Sequence, residues 1–302
     1  MHVVSHYSLS YTAGNGGGMF LTLGTSFELR NIIFDTCSVT NTNSRTGLLV
    51  GMCNGGMTLT FDNIKILHST VSGTDYVGGV IGRIGSQGTE HYTLNNIYVD
   101  VTVTSTSGAA GGFIGGITSF AKNADSIIIS NIYTTGSVTA TGKNNVGGII
   151  GFTSHTYKND SDYYGFSVDG NVLNISNVVS NMNVTANKNV AGILGFVESI
   201  TTTAGDNPGE PVLGQKTIDN AVFYGTITAN ENVCNILARD NGYEKATGTD
   251  CYTSTDYSKN TPTGRIVGTV LTDEQLTSWA FYEALGFSSE YWTVGENGLM
   301  LK

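Results

Sequence analysis

The sequence predicts an all-β chain: a right-handed parallel β-helix, or β-solenoid, of about seven three-strand coils, capped by a C-terminal helix and hairpin. Three observations lead there. First, Asn31-Ile32, Asn63-Ile64, Asn96-Ile97, Asn131-Ile132, Asn177-Val178 and Asn220-Ala221 each precede, by 18 to 20 residues, the end of a short apolar segment. These segments are GLLVG ending at Gly51, VGGVIG at Gly82, GGFIG at Gly115, VGGIIG at Gly151, VAGILG at Gly195 and VCNILA at Ala238. Self-similarity at a period of about 30 to 46 residues marks a solenoid, a propeller or an array. Second, apolar residues alternate with a period of two and no repeat carries a helical period. Third, each repeat holds three strand-like stretches, whereas a propeller blade needs a fourth strand and hairpin turns.

The first stretch precedes the asparagine, as in Met57-Thr58-Leu59-Thr60-Phe61-Asp62 or Ser126-Ile127-Ile128-Ile129-Ser130. Its alternation reads as a half-buried strand. A second alternating stretch follows the asparagine and ends in hydroxyl residues, as in Val101-Thr102-Val103-Thr104 and Ser137-Val138-Thr139-Ala140-Thr141. A Gly/Asn/Lys turn, such as Gly142-Lys143-Asn144-Asn145, then leads into the continuous apolar segment, which reads as a third, buried strand.

Parallel stacking puts equivalent residues in files. The asparagines could join amide to amide from coil to coil, or could simply tolerate left-handed dihedrals at a corner; the two roles are compatible. Ile64, Ile97, Ile132 and Val178 form one aliphatic file, and Ile81, Ile114, Ile150 and Leu194 another. Each fully buried aliphatic side chain contributes roughly 1.5 to 3 kcal/mol. The pairs Gly78-Gly79, Gly111-Gly112 and Gly147-Gly148 spare a corner the clash of a Cβ.

The stretch from Tyr11 to Phe20 lines up with the second and third strands of a preceding coil that lacks its first strand. The expectation is a fragment of a longer parent chain with flanking domains. The β-helix is expected over residues 1–270 and the cap over 271–302. In the cap, Thr272-Asp273-Glu274-Gln275 reads as a capping box opening a helix that Gly286 stops. Tyr291-Trp292-Thr293-Val294 and Leu299-Met300-Leu301, joined by Gly295-Glu296-Asn297-Gly298, read as a hairpin.

Repeats of the form VGGIIG or VAGILG after an Asn-aliphatic strand and a V-T-containing strand resemble the GLUG repeat. The tail from Leu271 to Leu301, with LTDEQL and FYEALGF, resembles the element that commonly ends GLUG arrays. The resemblance covers nearly the whole chain, although Cys234-Asn235 replaces Gly-Gly in the sixth repeat. It implies a place in a large secreted or surface protein of bacteria or some archaea. Such proteins include adhesin-like proteins and the non-catalytic regions of zinc metallopeptidases that cleave immunoglobulin A. A fold alone fixes no ligand.

Composition agrees with an extracellular or cell-surface location. Only 13% of the 302 residues are charged, 40 are glycine, and Thr, Ser and Asn abound. The net charge of -10 argues against nucleic acid or an anionic membrane as partner. No stretch is long enough to insert into a bilayer. Cys37 and Cys53, and Cys234 and Cys251, are two local pairs that could form disulfides or serve as small buried apolar groups.

No catalytic residue is expected. The five histidines include no H-E-x-x-H, and neither a G-x-S-x-G elbow nor a phosphate-binding loop occurs. The sequence implies no cofactor and no metal, although Asn159-Asp160-Ser161-Asp162 presents oxygens of a kind that Ca²⁺ uses. The candidate ligand-binding site lies in two insertions at one corner, residues 152–170 and 197–214. The first offers Tyr157, Asp160, Asp162, Tyr163, Tyr164 and Phe166; the second offers Asp206 and Glu210. Aromatic and carboxylate groups on loops over a rigid scaffold suit recognition of a host or environmental glycan or protein, unless the lobe only packs against itself. Two further surfaces are a hydroxyl face (Thr102, Thr104, Ser137, Thr139, Thr185, Thr226, Thr228) and a stacked pair, Tyr98 and Tyr133, as a sugar platform.

The functional expectation is a non-catalytic binding or stalk module of a cell-surface adhesin. The alternatives are an accessory substrate-recognition region of a secreted metallopeptidase or glycan-active enzyme, and a catalytic β-helix acting on polysaccharide.

Overall fold

The computed structural model describes residues 1–12, 14, 16–54, 56–85, 91–118, 126–142, 145–157, 172–201, 215–241, 245–259 and 264–302. The chain is a parallel β-helix. Its largest sheet stacks Phe27–Asp35, Thr58–Gly73, His91–Ser105, Ser126–Ala140, Val172–Thr185 and Gln215–Phe223, each paired in parallel with the next. The aliphatic file read from sequence is present in register, Ile64 beside Ile97, Ile132 and Val178 in turn, and all four are buried.

The strand boundaries differ from the sequence reading in one respect. In the four coils from Thr58 to Thr185 the stretches before and after the asparagine form one long strand that bends at it, and the apolar segment divides into two strands on two sheets. Val146–Gly147 joins a sheet of very short strands, whereas Ile150–Tyr157 joins the third sheet. The division has a steric cause. A Cβ on Gly147 would lie 2.0 Å from the Ile150 carbonyl oxygen, and one on Gly148 would lie 2.2 Å from that of Gly192. Glycine lets the backbone turn this corner closely packed against the next coil at Gly147, whereas Ala191 and Cys234 hold the same register on the two coils that follow.

Asn31, Asn63, Asn96, Asn131, Asn177, Asn220 and Asp250 all have φ between 51° and 58°, the left-handed conformation that asparagine tolerates. Amide bonds join this file in places. Asn63 Nδ2 donates to Asn31 Oδ1 at 2.7 Å, Asn96 to Asn63 at 3.4 Å and Asn220 to Asn177 at 3.0 Å. Asn131 donates instead to Asn95 Oδ1 at 2.9 Å. A second left-handed file, Arg45, Tyr76, Asn145, Asn189 and Asn232, precedes the short strands. In it Asn189 Nδ2 donates to Asn145 Oδ1, and Asn232 Nδ2 to Asn189 Oδ1, both at 2.7 Å.

At the N-terminus His2 pairs with Ile32, so the first coil starts one residue past the asparagine position. At the other end the chain reverses. Lys259 bridges Val233 and Ile266 bridges Leu237, both antiparallel, which ends the stacking of those two sheets. After the last parallel strand, Thr269–Val270, come two short helices, Asp273–Leu276 and Trp279–Ala284, and the hairpin Trp292–Gly295/Gly298–Leu301. The Thr272–Gln275 capping box is formed in both directions, and Gly286 has φ +94°.

The helices and hairpin lie along the flank of the largest sheet. Tyr282, Phe287, Trp292, Leu299 and Leu301 build a second core against Tyr133, Val179 and Val222, outward residues of successive coils, with Tyr98 and Tyr252 at its margins. All four cysteines are buried and neither disulfide forms.

Candidate functional site

The residues singled out from sequence divide between a described base and undescribed loops. Asp160, Asp162, Tyr163, Tyr164, Phe166, Asp206 and Glu210 lie outside the described residues, as does the Asn159–Asp162 oxygen cluster. Tyr157 closes the strand Ile150–Tyr157. The insertions begin later than the sequence suggested. Residues 152–157 pair in register with 196–201, so two neighbouring coils continue as paired strands before either loop leaves the scaffold.

The Tyr98–Tyr133 pair stacks as expected, with ring centroids 5.2 Å apart and planes 15° from parallel. It is no open platform, because the C-terminal tail packs over it and leaves Tyr133 only 8% exposed. Burial pushes the Tyr98 phenol up to about 12. The hydroxyl face is in register over seven coils, one file running Ser10, Thr40, Ser72, Thr104, Thr139, Thr185, Thr228.

A groove of about 550 Å³ lies at the foot of the paired strands, where sequence reading had placed nothing. Its floor is an aromatic file. Phe152 and Phe196 are register partners on the outer face of the third sheet, with ring centroids 5.8 Å apart. On the coil before Phe152 the same register holds Gly116, and Tyr76 from the left-handed turn file fills that gap. A Cβ on Gly116 would lie 2.4 Å from the Tyr76 ring. Tyr76 thereby comes 6.3 Å from Phe152.

Cations stand at both ends of this file. The Arg83 guanidinium lies 5.5 Å from the Tyr76 ring centroid, and that of Arg239 5.2 Å from Phe196. Asn145, Asn189 and Lys188 form one wall, Lys188 pairing with Glu231 at 2.9 Å. The carboxylate of the groove, Asp75, sits over Gly108, and its Oδ1 accepts from the backbone N–H groups of Tyr76 and Ala109 at 2.9 and 2.8 Å. A carboxylate held in this way braces two turns and is poorly placed for proton transfer. The arrangement of flat apolar rings, amides and guanidinium groups suits ligand binding.

Among the described residues no group of three or more His, Cys, Asp or Glu side chains converges as a metal site requires. No helix of the described residues is long and apolar enough to cross a membrane.

No protein-family model and no solved structure matches the chain, so the GLUG resemblance rests on the repeated segments themselves. Halomucin of Haloquadratum walsbyi is 28% identical over 136 residues, covering 38% of this chain and 1% of that protein. The chain therefore corresponds to a very small part of the curated relative it matches.

Proposed function

We propose that this chain is a non-catalytic module of a large extracellular or cell-surface protein, and that it recognises a glycan or protein through the groove, with the residues of the two insertions as further candidate contacts. The similarity to halomucin supports a surface setting, because the shared stretch is a minute part of a very long chain, as a repeated module would be. The GLUG-like repeats and the scarcity of charged residues agree with an adhesin-like parent.

The observation that carries the binding reading is the aromatic file Tyr76, Phe152 and Phe196. It is built on register-paired coils and flanked by arginines at both ends. A rigid scaffold holding such groups limits the entropy lost when a ligand binds. Asp75, the one carboxylate lining the groove among the described residues, is already engaged by two backbone amides, which favours recognition over hydrolysis.

A panel of glycans and extracellular proteins applied to the intact chain tests this reading. Saturable binding without turnover is expected. Depolymerisation of a glycan would establish an enzyme, and failure to bind any member would leave a passive spacer.

A further inference from the structure

Arg45 and Arg83 stand on neighbouring coils beyond the Tyr76 end of the groove, outside its lining, Arg45 one coil before Tyr76 in the left-handed file and Arg83 against the Tyr76 ring. Both are partly buried, and neither forms an ion pair among the described residues. The Arg45 Nε is buried without any hydrogen-bond partner, while its Nη1 meets only the Met52 sulfur, at 3.4 Å. Arg83 spends its Nε on Thr118 Oγ1 at 2.5 Å. Burial pushes the Arg83 guanidinium down from its ordinary range, and the neighbouring Arg45 charge adds to the effect.

Two unpaired guanidinium groups side by side repel each other, and a buried donor without a partner costs free energy. An anion against their outer nitrogens would relieve the repulsion. Planar guanidinium groups match the paired oxygens of a carboxylate or sulfate. No neighbouring carboxylate forms an ion pair with either arginine among the described residues, although the Asp75 charge partly offsets the fall at Arg83. Asp75 is bound by backbone amides, Glu231 by Lys188, and Asp240 faces inward to accept from Ala246 N–H. Glu198, two residues beyond Phe196 on the same face of its strand, is near enough for its charge to act on the Tyr76 phenol, and it is a further carboxylate at this end of the groove.

We infer that the Arg45–Arg83 pair holds the acidic group of an acidic glycan, a carboxylate or a sulfate ester, whose sugar rings run along Tyr76, Phe152 and Phe196 toward Arg239. This rests on the reading of the chain as a recognition module, and names its ligand class. The run from Arg83 through Gly116, Phe152 and Phe196 to Arg239 follows the strand register across four coil steps. At ~4.8 Å per step that is roughly 19 Å, a length suited to a short extended oligosaccharide. The chain's net charge of -10 opposes polyanions at long range. That repulsion is screened beyond about 8 to 10 Å at moderate salt, whereas contact with two unpaired arginines is not.

The test is calorimetric titration of the full chain with hexagalacturonate, its neutral methyl ester, and a sulfated carrageenan hexasaccharide. At least one acidic glycan should bind, about tenfold or more tighter than the methyl ester. Arg83→Gln should weaken binding about tenfold, and Arg45→Gln with Arg83→Gln further, with the circular dichroism spectrum unchanged. Arg83→Gln alone leaves the left-handed turn at Arg45 untouched, so it serves if the double variant unfolds. Glu231→Gln, which releases Lys188, should tighten binding. Equal binding of hexagalacturonate and its ester, or of native and Arg83→Gln protein, would overturn the assignment, as would no binding of either acidic glycan. Binding of another glycan or protein in that last case would still uphold the recognition module and fault only the acidic ligand.

Discussion

The indole Nε1 of Trp292 donates a hydrogen bond to Asn131 Oδ1 at 2.9 Å, joining residues 161 positions apart in the chain. The bond occupies an oxygen of the left-handed asparagine file and explains why the C-terminal tail is fixed against the fourth such turn. Tyr224 strengthens the same junction. Its hydroxyl lies 2.6 Å from that of Tyr282 and accepts from the Leu299 N–H at 3.1 Å. Both tryptophans of the chain, Trp279 and Trp292, belong to the tail.

Trp292→Phe keeps an aromatic ring in the buried site and removes the donor to Asn131. Leaving that acceptor unsatisfied should cost about 1 to 3 kcal/mol, in addition to the loss of ring volume. Fluorescence of the remaining Trp279 reports the tail alone, and far-ultraviolet circular dichroism reports the coils. In the variant the fluorescence transition should fall below the dichroism transition; coincident transitions would show that the tail and the coils melt as one unit.

Gly147→Ala should destabilise the chain by about 1 to 3 kcal/mol, because the added methyl would meet the Ile150 carbonyl oxygen at 2.0 Å and that of Ile193 at 2.6 Å, although the next coil accommodates Ala191 at the same register. At exposed Gly24 the nearest heavy atom to an added Cβ is 3.4 Å away, so Gly24→Ala should be neutral or stabilising by up to about 1 kcal/mol. Thermal melts of the two variants give the comparison, and similar melting temperatures would contradict the corner geometry.

Exposed His68 lies with Nδ1 3.0 Å from Asp35 Oδ1, and that hydrogen bond raises the imidazole above its ordinary 6.5 while lowering the Asp35 carboxyl. The sign follows from the raised folded value. The stabilisation is fully present below the unfolded histidine value near ~6.5 and is lost as pH rises through the folded one. A nuclear magnetic resonance titration should place His68 above 6.5, and Asp35→Asn should bring it down. No change in the variant would show that Asp35 is not the cause.

Replacing residues 158–171 and 202–214 each with a four-residue Gly/Asn turn should leave the thermal transition nearly unchanged. The stacked aliphatic core and the buried Phe152 and Phe196 are retained, and loop length costs little. A large fall in the transition would show that the insertions belong to the core.

The architecture was legible because repetition reports topology directly. Asn31 through Asn220 recur with the aliphatic residue that follows each, and only stacking of equivalent strands keeps such files together. The second left-handed file was half hidden, since Arg45 and Tyr76 stand where later coils have Asn145, Asn189 and Asn232. The place of the tail could not be read locally, because its partners are far away in sequence. A signal did exist in Tyr98, Tyr133, Val179 and Val222, apolar residues at outward positions of successive coils that need a cover. The groove was missed for a similar reason. Its floor depends on Gly116 leaving a gap that Tyr76 crosses from another file, and neither residue stands out within its own repeat.

The stacking itself is open to direct measurement by pulsed electron paramagnetic resonance. Thr40 and Thr228 are both exposed, and the register through Ser72, Thr104, Thr139 and Thr185 places them in one file, five coil steps apart. The four native thiols are buried, with that of Cys251 pushed up to about 12 by burial, so cysteines introduced at the surface would be labelled selectively. At ~4.8 Å per coil, spin labels at Thr40 and Thr228 should give a narrow distribution centred near 24 Å, within the reach of the label arms. The four-step pair Thr70 and Thr226 should be shorter by about one coil, ~5 Å. Two distances that differ by one coil rise would establish the parallel stack. A Thr40–Thr228 distance beyond about 35 Å, or two distances unrelated by that rise, would contradict it.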